Sequence, residues 1–570
     1  MKVTGTMYLS GSYWVVDGPP PLLRDLKAVL PRVDPMKTGG IRIRRSPYIG
    51  ARLQWLGEWH DIEMDPGPRE DLHADAEAWR LQERELGGIL AGKVPERVFQ
   101  MTDQPRDYQR VAVELALLIR RFLLADQTGT GKSLCMMAMM EAGLLPAVGV
   151  MPVNLILQWE PELKRLLPGI NVLVLRGRTP YDVREAMARQ LVQERRKAEM
   201  VIPDVCLLNY DIADSWGPAL ATRNPPKFTF FDECSALSNP ESLRTKGSRA
   251  LSEASQYCVG ADATPAGAYG AQIHPVVDVI TLGRLGDWPE FKREWCTDEE
   301  DRLCRVREPD LLREHLKSSG MVLRRTRNDV GLYLDPVTYI PYRVDVDRAP
   351  LDAVRPAMKV LAARILADQY GKGQAAATAR MSDRSTLARV MRKSTAIGKA
   401  PHTADLLNFL ASKGERVFVV AWHIETYNIF QRRLGAKWAP AFFTGQQDKK
   451  QKAEALRRFK AHETPFLIAS IRGVAGIDGL QGHCSIGMQA EFDWNPHKHT
   501  QAMDRIWRPG QKEKVCWYVP YTDEGSDPVM MEVTGAKHAA SSPILDAVDI
   551  LDDNVDPAHI IKLAEQVLRG

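Results

Sequence analysis

Two short segments carry residues whose types and spacing point to one chemistry. Residues 126–133 read DQTGTGKS, and residues 232–235 read DECS. In the first, Gly129 and Gly131 let backbone N–H groups approach a phosphate, and Thr128 and Thr130 belong to the same phosphate-binding loop. Lys132 supplies a positive charge for the outer phosphates, and Ser133 offers a hydroxyl to Mg²⁺. In the second, Asp232 can hold the magnesium through water and Glu233 can position an attacking water. Asp126 stands where the strict P-loop pattern has its first glycine. A glycine-rich loop alone is a weak signal. Two matched half-sites in this order imply hydrolysis of ATP with Mg²⁺.

Such a site needs strands that end at it. Apolar runs precede both segments, FLLA at 122–125 and FTFF at 228–231, and a helix-compatible run follows Ser133. Further runs, VGVM at 148–151, VLVL at 172–175, VCLL at 205–208 and YCVG at 257–260, alternate with amphipathic stretches. Runs that are apolar on both faces between helices predict a parallel α/β sheet. The alternation stops over a charged helical stretch and restarts with VFVVAW at 417–422, FF at 442–443, FLIAS at 466–470, SIGMQ at 485–489 and CWYVPY at 516–521. The expected organisation is a small α+β domain over 1–95 and a first lobe over 96–270. A helical insertion and linker follow over 271–395, then a second lobe over 396–540 and a helical tail over 541–570.

Bulk properties bound this reading. A chain of 570 residues exceeds one core. Its +4 balance, from 76 basic and 72 acidic residues, is too mild to prove nucleic-acid binding, so any such footprint is local. The eight cysteines show no CxxC spacing and are expected as reduced core thiols; Cys296 and Cys304, the closest pair, do not make a zinc site. No apolar stretch is long enough to span a membrane, and the start MKVTGTMYLSG lacks the form of a secretory signal.

The residues together resemble a Swi/Snf-like ATPase of helicase superfamily 2. The likeness rests on PRDYQ at 105–109, MPVNLILQWEPELKR at 151–165, DECSALSN at 232–239, ATPAG at 263–267, LRRTRNDV at 323–330, WNP at 494–496 and QAMDRIWRPGQ at 501–511. It covers roughly residues 100–540. VVAWH at 419–423, SIRGVAG at 470–476 and AEFDWNP at 490–496 are similar to the short annealing-helicase-like branch, whose stand-alone phage and bacterial relatives are built the same way. The resemblance implies two tandem RecA-like lobes with nucleotide between them. It implies that Gln109 reads the adenine edge, that Gln501 lies at the nucleotide, and that Arg505 and Arg508 reach the γ-phosphate from the second lobe. It also implies grip on DNA through the backbone at Pro152 and Val153, Asn209, Tyr210, Thr444, Gly445 and Ser470. The partners implied are double-stranded or branched DNA and ATP, with the protein acting as a monomer in the cytoplasm of a prokaryotic cell or phage-infected host. Four departures stand out: Ser235, Asp262-Ala263, Trp507, and an extra residue around Asp478-Gly479. They fall where the family transmits the nucleotide state rather than binds it. Hydrolysis is therefore expected intact, and the strength of DNA coupling is open.

Other residues have plainer readings. Arg457 and Arg458 are expected on a solvated helix face. Arg324, Arg325 and Arg327 fit a DNA contact or an interlobe brace equally. HKH at 497–499 lacks a third metal ligand. Arg42, Arg44 and Arg45 alternate with Ile41 and Ile43, which leaves DNA contact and a solvated face both open. Trp55 and Trp59 are expected in a core, with a base-stacking platform as the alternative. Three functions remain: a double-strand DNA translocase, a strand-separating helicase on DNA or RNA, and a nucleotide-gated switch that does not travel.

Overall fold

The computed structural model describes residues 4–30, 34–35, 40–197, 200–263, 265, 270–297, 304, 306–367, 374–533 and 557–569. Three sheets organise it. The first lobe has seven parallel strands in the order Val322–Leu323, Arg121–Leu124, Tyr257–Ala261, Phe228–Asp232, Ala147–Met151, Val205–Asn209 and Val172–Val174. The second has six, all parallel, in the order Thr338–Arg343, Cys516–Tyr521, Ile486–Gln489, Val417–Ala421, Phe466–Ser470 and Ala441–Phe443. The central strands are buried along their whole length, as the unbroken apolar runs predict. In a parallel sheet all strand C-terminal ends share one edge, so the loops carrying the chemistry gather there.

The order of neighbours matters for the site. Tyr257–Ala261 lies between Arg121–Leu124 and Phe228–Asp232. The loop at 126–133 and the segment at 232–235 therefore flank the end of that strand, where Asp262 stands.

The N-terminal domain is α+β. Its five-stranded sheet runs Asp34–Pro35, Ile41–Arg44, Tyr13–Asp17, Thr4–Ser10 and Asp61–Glu63. Helices Pro20–Val29 and Pro47–Trp59 pack Leu22, Leu26, Leu53 and Leu56 onto its inner face around Trp14. Arg45 leaves the strand edge to pair with Asp75 and Asp71 on helix Pro66–Leu90, whereas Arg42 and Arg44 stay exposed and Arg42 lies 4.5 Å over the Tyr13 ring.

Three differences from the sequence reading have physical causes. Trp55 and Trp59 are not core residues: they are 45% and 64% exposed. Their helix turns Gly50, Leu53 and Leu56 inward, and the 3.6-residue repeat sends both tryptophans the other way. The stretch 271–395 is not wholly helical, because Val322–Leu323 and Thr338–Arg343 complete the edges of the two lobe sheets. Pro341 inside the second masks it, and an edge strand tolerates that proline. Helix Gln374–Ser412 runs unbroken through residue 395, with Leu387, Met391, Ala404 and Leu407 buried along it. A helix Pro557–Arg569 packs Ile560 and Leu563 onto the second lobe's core.

Candidate active site

The glycine-rich loop leaves strand Arg121–Leu124 and opens helix Lys132–Glu141. Gly129 and Gly131 have φ of +82° and +81°, the left-handed region that favours glycine. A Cβ at Gly131 would strike Gln109 Nε2. No side chain caps the helix start, which leaves its first N–H groups to a phosphate. Lys132 Nζ donates to the Asp126 carbonyl at 2.7 Å, back across the loop.

Asp126 is 1% exposed, and Arg325 grips its carboxylate through Nε at 3.2 Å and Nη2 at 2.5 Å. This pair accounts for the missing first glycine: the side chain points into the lobe and ties the loop to the basic segment. Arg324 donates to the carbonyls of Ala125 and Ala263. The three arginines left open between DNA contact and brace are thus a brace under and over the phosphate loop. Arg457, by contrast, pairs with Glu454 and Glu463 on an exposed helix face.

Gln109 is buried. Its amide N–H donates to the Thr130 carbonyl at 3.0 Å, and its oxygen accepts from the Arg106 N–H at 2.8 Å. Tyr108 donates to the same Thr130 carbonyl at 2.7 Å. The residue expected to read adenine here buttresses the loop.

Asp232 and Glu233 stand at the end of their strand. Asp232 accepts from the Trp159 indole at 2.7 Å, and Tyr210 donates to its carbonyl at 3.0 Å. Glu233 sits at φ +52°, a left-handed conformation for a side-chain-bearing residue, held by the N–H to Asp232 Oδ1 contact at 3.1 Å. Asp262 Oδ2 accepts from the Ser235 N–H at 2.9 Å, so the departure at 262 clamps the turn after Glu233. Burial raises the Asp232 carboxyl against the pull of the Trp159 hydrogen bond and Lys132. Burial, then the charges of Asp262 and Asp232, push Glu233 up to about 7. Thr264, Ala266 and Gly267 of the ATPAG segment lie outside the described residues.

The second lobe reaches across. Gln501, expected at the nucleotide, places Nε2 3.5 Å from Glu233 Oε2. Asp504 accepts from Arg327 Nη2 at 2.6 Å and from the Thr128 hydroxyl, while Arg327 Nε donates to the Thr128 carbonyl at 2.8 Å. Trp507 carries the Arg327 guanidinium 4.4 Å over its ring. Arg505 is buried, its Nη1 on the Ile477 carbonyl, and burial followed by the nearby Arg508 lowers its pKa. Arg508 pairs with Asp478, so the extra residue there supplies its partner.

The expected DNA contacts all lie on strand ends, in two groups. Pro152 caps helix Val153–Leu166, and Val153 is exposed. Asn209 Oδ1 accepts from the Asp211 N–H. Tyr210 turns inward, so its ring offers nothing to a ligand. In the second lobe Gly445 is exposed, while Thr444 and Ser470 are buried and Thr444 donates to Gln447. Next to Val153, Asn154 approaches Gly476 of the second lobe: a Cβ on that glycine would lie 3.5 Å from the Asn154 Cβ.

Magnesium fits this donor set. Among the described residues no three His, Cys, Asp or Glu side chains converge as a metal cage. One carboxylate and one hydroxyl, Asp232 and Ser133, beside an acidic pocket that raises Glu233, suit an ion that shares its ligands with a phosphate. Bound there, it would neutralise charge on phosphate oxygens.

Two parallel-sheet lobes with phosphate-binding and acidic segments on one and an arginine-bearing segment on the other define an ATPase of helicase superfamily 2. The model of the SNF2-related domain matches residues 79–377, and that of the helicase conserved C-terminal domain matches 399–510. The chain belongs to the SNF2-related family. It is 22% identical over 468 residues to the CHD3-type chromatin-remodeling factor PICKLE of Arabidopsis thaliana, covering 73% of this chain and 32% of that protein. It is also 22% identical over 415 residues to an uncharacterized ATP-dependent helicase of Mycoplasma pneumoniae, covering 70% and 37%. The chain thus spans about a third of the length of the curated relatives it matches. The Sulfolobus solfataricus SWI2/SNF2 ATPase core in complex with dsDNA aligns over 83% of this chain and 98% of its own, at 17% identity and a TM-score of 0.37.

Proposed function

We propose that this chain is an ATP-driven motor that translocates along double-stranded DNA and remodels forked or branched structures. One observation supports the reading: Gln501 and Asp504 of the second lobe meet Glu233 and Thr128 of the first, which brings the arginine-bearing segment up to the phosphate loop. In this reading Lys132 and the loop N–H groups hold the outer phosphates, and Ser133 and Asp232 hold the magnesium. Glu233 orients the attacking water. Arg505 and Arg508 stabilise charge on the transferred phosphoryl, a contribution of about 10³–10⁵ in rate for such arginines. ATP favours the closed arrangement and hydrolysis releases it. If each lobe grips phosphates of one strand through its strand-end loops, every cycle moves one lobe past the other. The segments resembling the family's DNA motifs support duplex DNA as the track. The protein acts as a monomer, with 1–95 as an accessory domain.

The Asp262–Ser235 tie favours one second reading, a nucleotide-gated switch that does not travel, because it replaces a segment that links hydrolysis to DNA. ATPase rate against duplex length separates the two. A walker responds to track length, and a switch does not. Triplex displacement against strand displacement then separates translocation from unwinding, with Lys132→Ala as the inactive control.

A further inference from the structure

Helix Pro47–Trp59 buries Gly50, Leu53 and Leu56 and turns the opposite face outward. Tyr48, Arg52, Trp55 and Trp59 follow one another there at i, i+4, i+7 and i+11, a single stripe at 3.6 residues per turn. The two indoles are 45% and 64% exposed and their centroids lie 6.0 Å apart. Arg52 sits 5.2 Å over the Tyr48 ring, which meets Trp79 edge-on. The stripe holds no aliphatic side chain, and Glu58, the helix's only acidic residue, falls outside it. A stripe at these spacings can also seat a helix in a protein groove through aromatic and arginine anchors. With no aliphatic side chain among them, these aromatic faces interleaved with a guanidinium match the π-faces of unpaired bases and their phosphates.

The stripe is fixed to the motor. Helix Pro66–Leu90 packs Leu72 into the N-terminal core, and its far end packs Leu86, Ile89 and Leu90 against the first lobe. Gly50 approaches Asp75 too closely for a Cβ, and Arg45 ties the preceding strand to the same helix. The platform therefore moves with the first lobe.

We propose that Tyr48, Arg52, Trp55 and Trp59 form a stacking site for unpaired bases of single-stranded DNA, separate from the interlobe cleft. The choice of DNA rests on the motor reading above. The test uses the full chain without nucleotide, a thymidine homopolymer and a blunt duplex as probes, and tryptophan fluorescence quenching plus anisotropy as readouts. Trp55→Ala/Trp59→Ala should weaken homopolymer binding about tenfold or more. Trp55→Phe/Trp59→Phe should retain most of it, and Trp55→Leu/Trp59→Leu should lose it. Duplex binding and duplex-stimulated hydrolysis should stay at wild-type levels in all three. Equal homopolymer affinity in the alanine variant, or full affinity in the leucine variant, overturns the proposal and points to a protein-docking face. Loss of duplex-stimulated hydrolysis also overturns it, by placing the stripe in the motor site. If wild-type hydrolysis ignores DNA but the homopolymer results hold, the motor reading fails and this site stands.

Discussion

Arg327, from the segment between the lobes, donates to Asp504 of the second lobe at 2.6 Å, and the two are 3% and 2% exposed. Both also hold Thr128, Arg327 through its carbonyl and Asp504 through its hydroxyl. The phosphate-binding loop is thereby clamped from outside by the interlobe segment and the second lobe together. Thr128 stands one residue from Gly129, whose positive φ shapes the loop.

Removing one partner of a buried ion pair leaves an uncompensated charge and typically costs about 3–5 kcal/mol. Asp504→Leu and Arg327→Met should each lower the thermal midpoint and expose the interlobe segment to protease. The double replacement Arg327→Met/Asp504→Leu should be less damaging than the two single effects added. Strict additivity by thermal scanning would show that the pair does not act as a unit.

Trp159 gives a second test. Its indole reaches Asp232 from the helix that starts at the expected DNA-contact residues Pro152 and Val153. Trp159→Phe keeps an aromatic side chain, smaller than the indole, and drops the hydrogen bond, worth about 1.5–3 kcal/mol when the acceptor is charged. DNA-stimulated turnover should fall several-fold, and the Mg²⁺ concentration at half-maximal rate should rise. An unchanged Mg²⁺ dependence would sever the proposed link between the Val153–Leu166 helix and a magnesium-binding role of Asp232.

The parallel sheets were legible because buried strands read as unbroken apolar runs, and the phosphate loop because glycine spacing is stereochemical. Arg325 and Arg327 were not assignable from sequence. A guanidinium that braces a loop and one that meets phosphate look alike until the partner is known, and Asp126 and Asp504 lie far away in the chain. Asp126 itself was the available signal, since a carboxylate in a phosphate loop needs a cation. Trp55 and Trp59 misled through residue type, where the helical repeat alone separates them from Leu53 and Leu56. Asp262 showed as a departure, but its grip on the Ser235 N–H depends on the strand order.

Glu233→Gln should abolish turnover while leaving ATP binding within a few-fold, because the amide cannot take a proton from the attacking water. The variant should then stay on DNA longer in the presence of ATP, measured as a slower off-rate. A collapse of nucleotide affinity would assign Glu233 a structural role, consistent with its strained backbone.

Acid stability has an identifiable contributor in the second lobe. Glu491 is buried, which by itself raises its carboxyl. The His423 ring at 2.6 Å and the His423 N–H outweigh that burial and hold it below its ordinary value. A depressed folded pKa means stability present above the unfolded value of about 4.3 and lost as pH falls through the folded one. Thermal midpoints of the wild type should therefore fall on the acid side of that value. Glu491→Gln should show a lower plateau near neutrality and a flatter acid limb. Parallel acid limbs in the two proteins would remove Glu491 from the account.

Arg508 tests the two-lobe mechanism itself. It now pairs with Asp478 at the lobe surface, whereas Arg505 is buried against the Ile477 carbonyl. To reach a γ-phosphate on the first lobe, Arg508 must exchange that carboxylate for the phosphoryl oxygens on closure. Arg508→Ala should then cut turnover by at least about 10²-fold and weaken ATP binding far less, the pattern of a contact made in the transition state. Arg508→Lys should rescue poorly, since an ammonium cannot reproduce the planar fork. Asp478→Ala should leave turnover intact or raise it, because it removes the competitor rather than the catalyst. Near-normal DNA-stimulated hydrolysis in Arg508→Ala, with the protein folded by circular dichroism, would assign the Asp478 pair a merely structural role and remove the arginine from the mechanism.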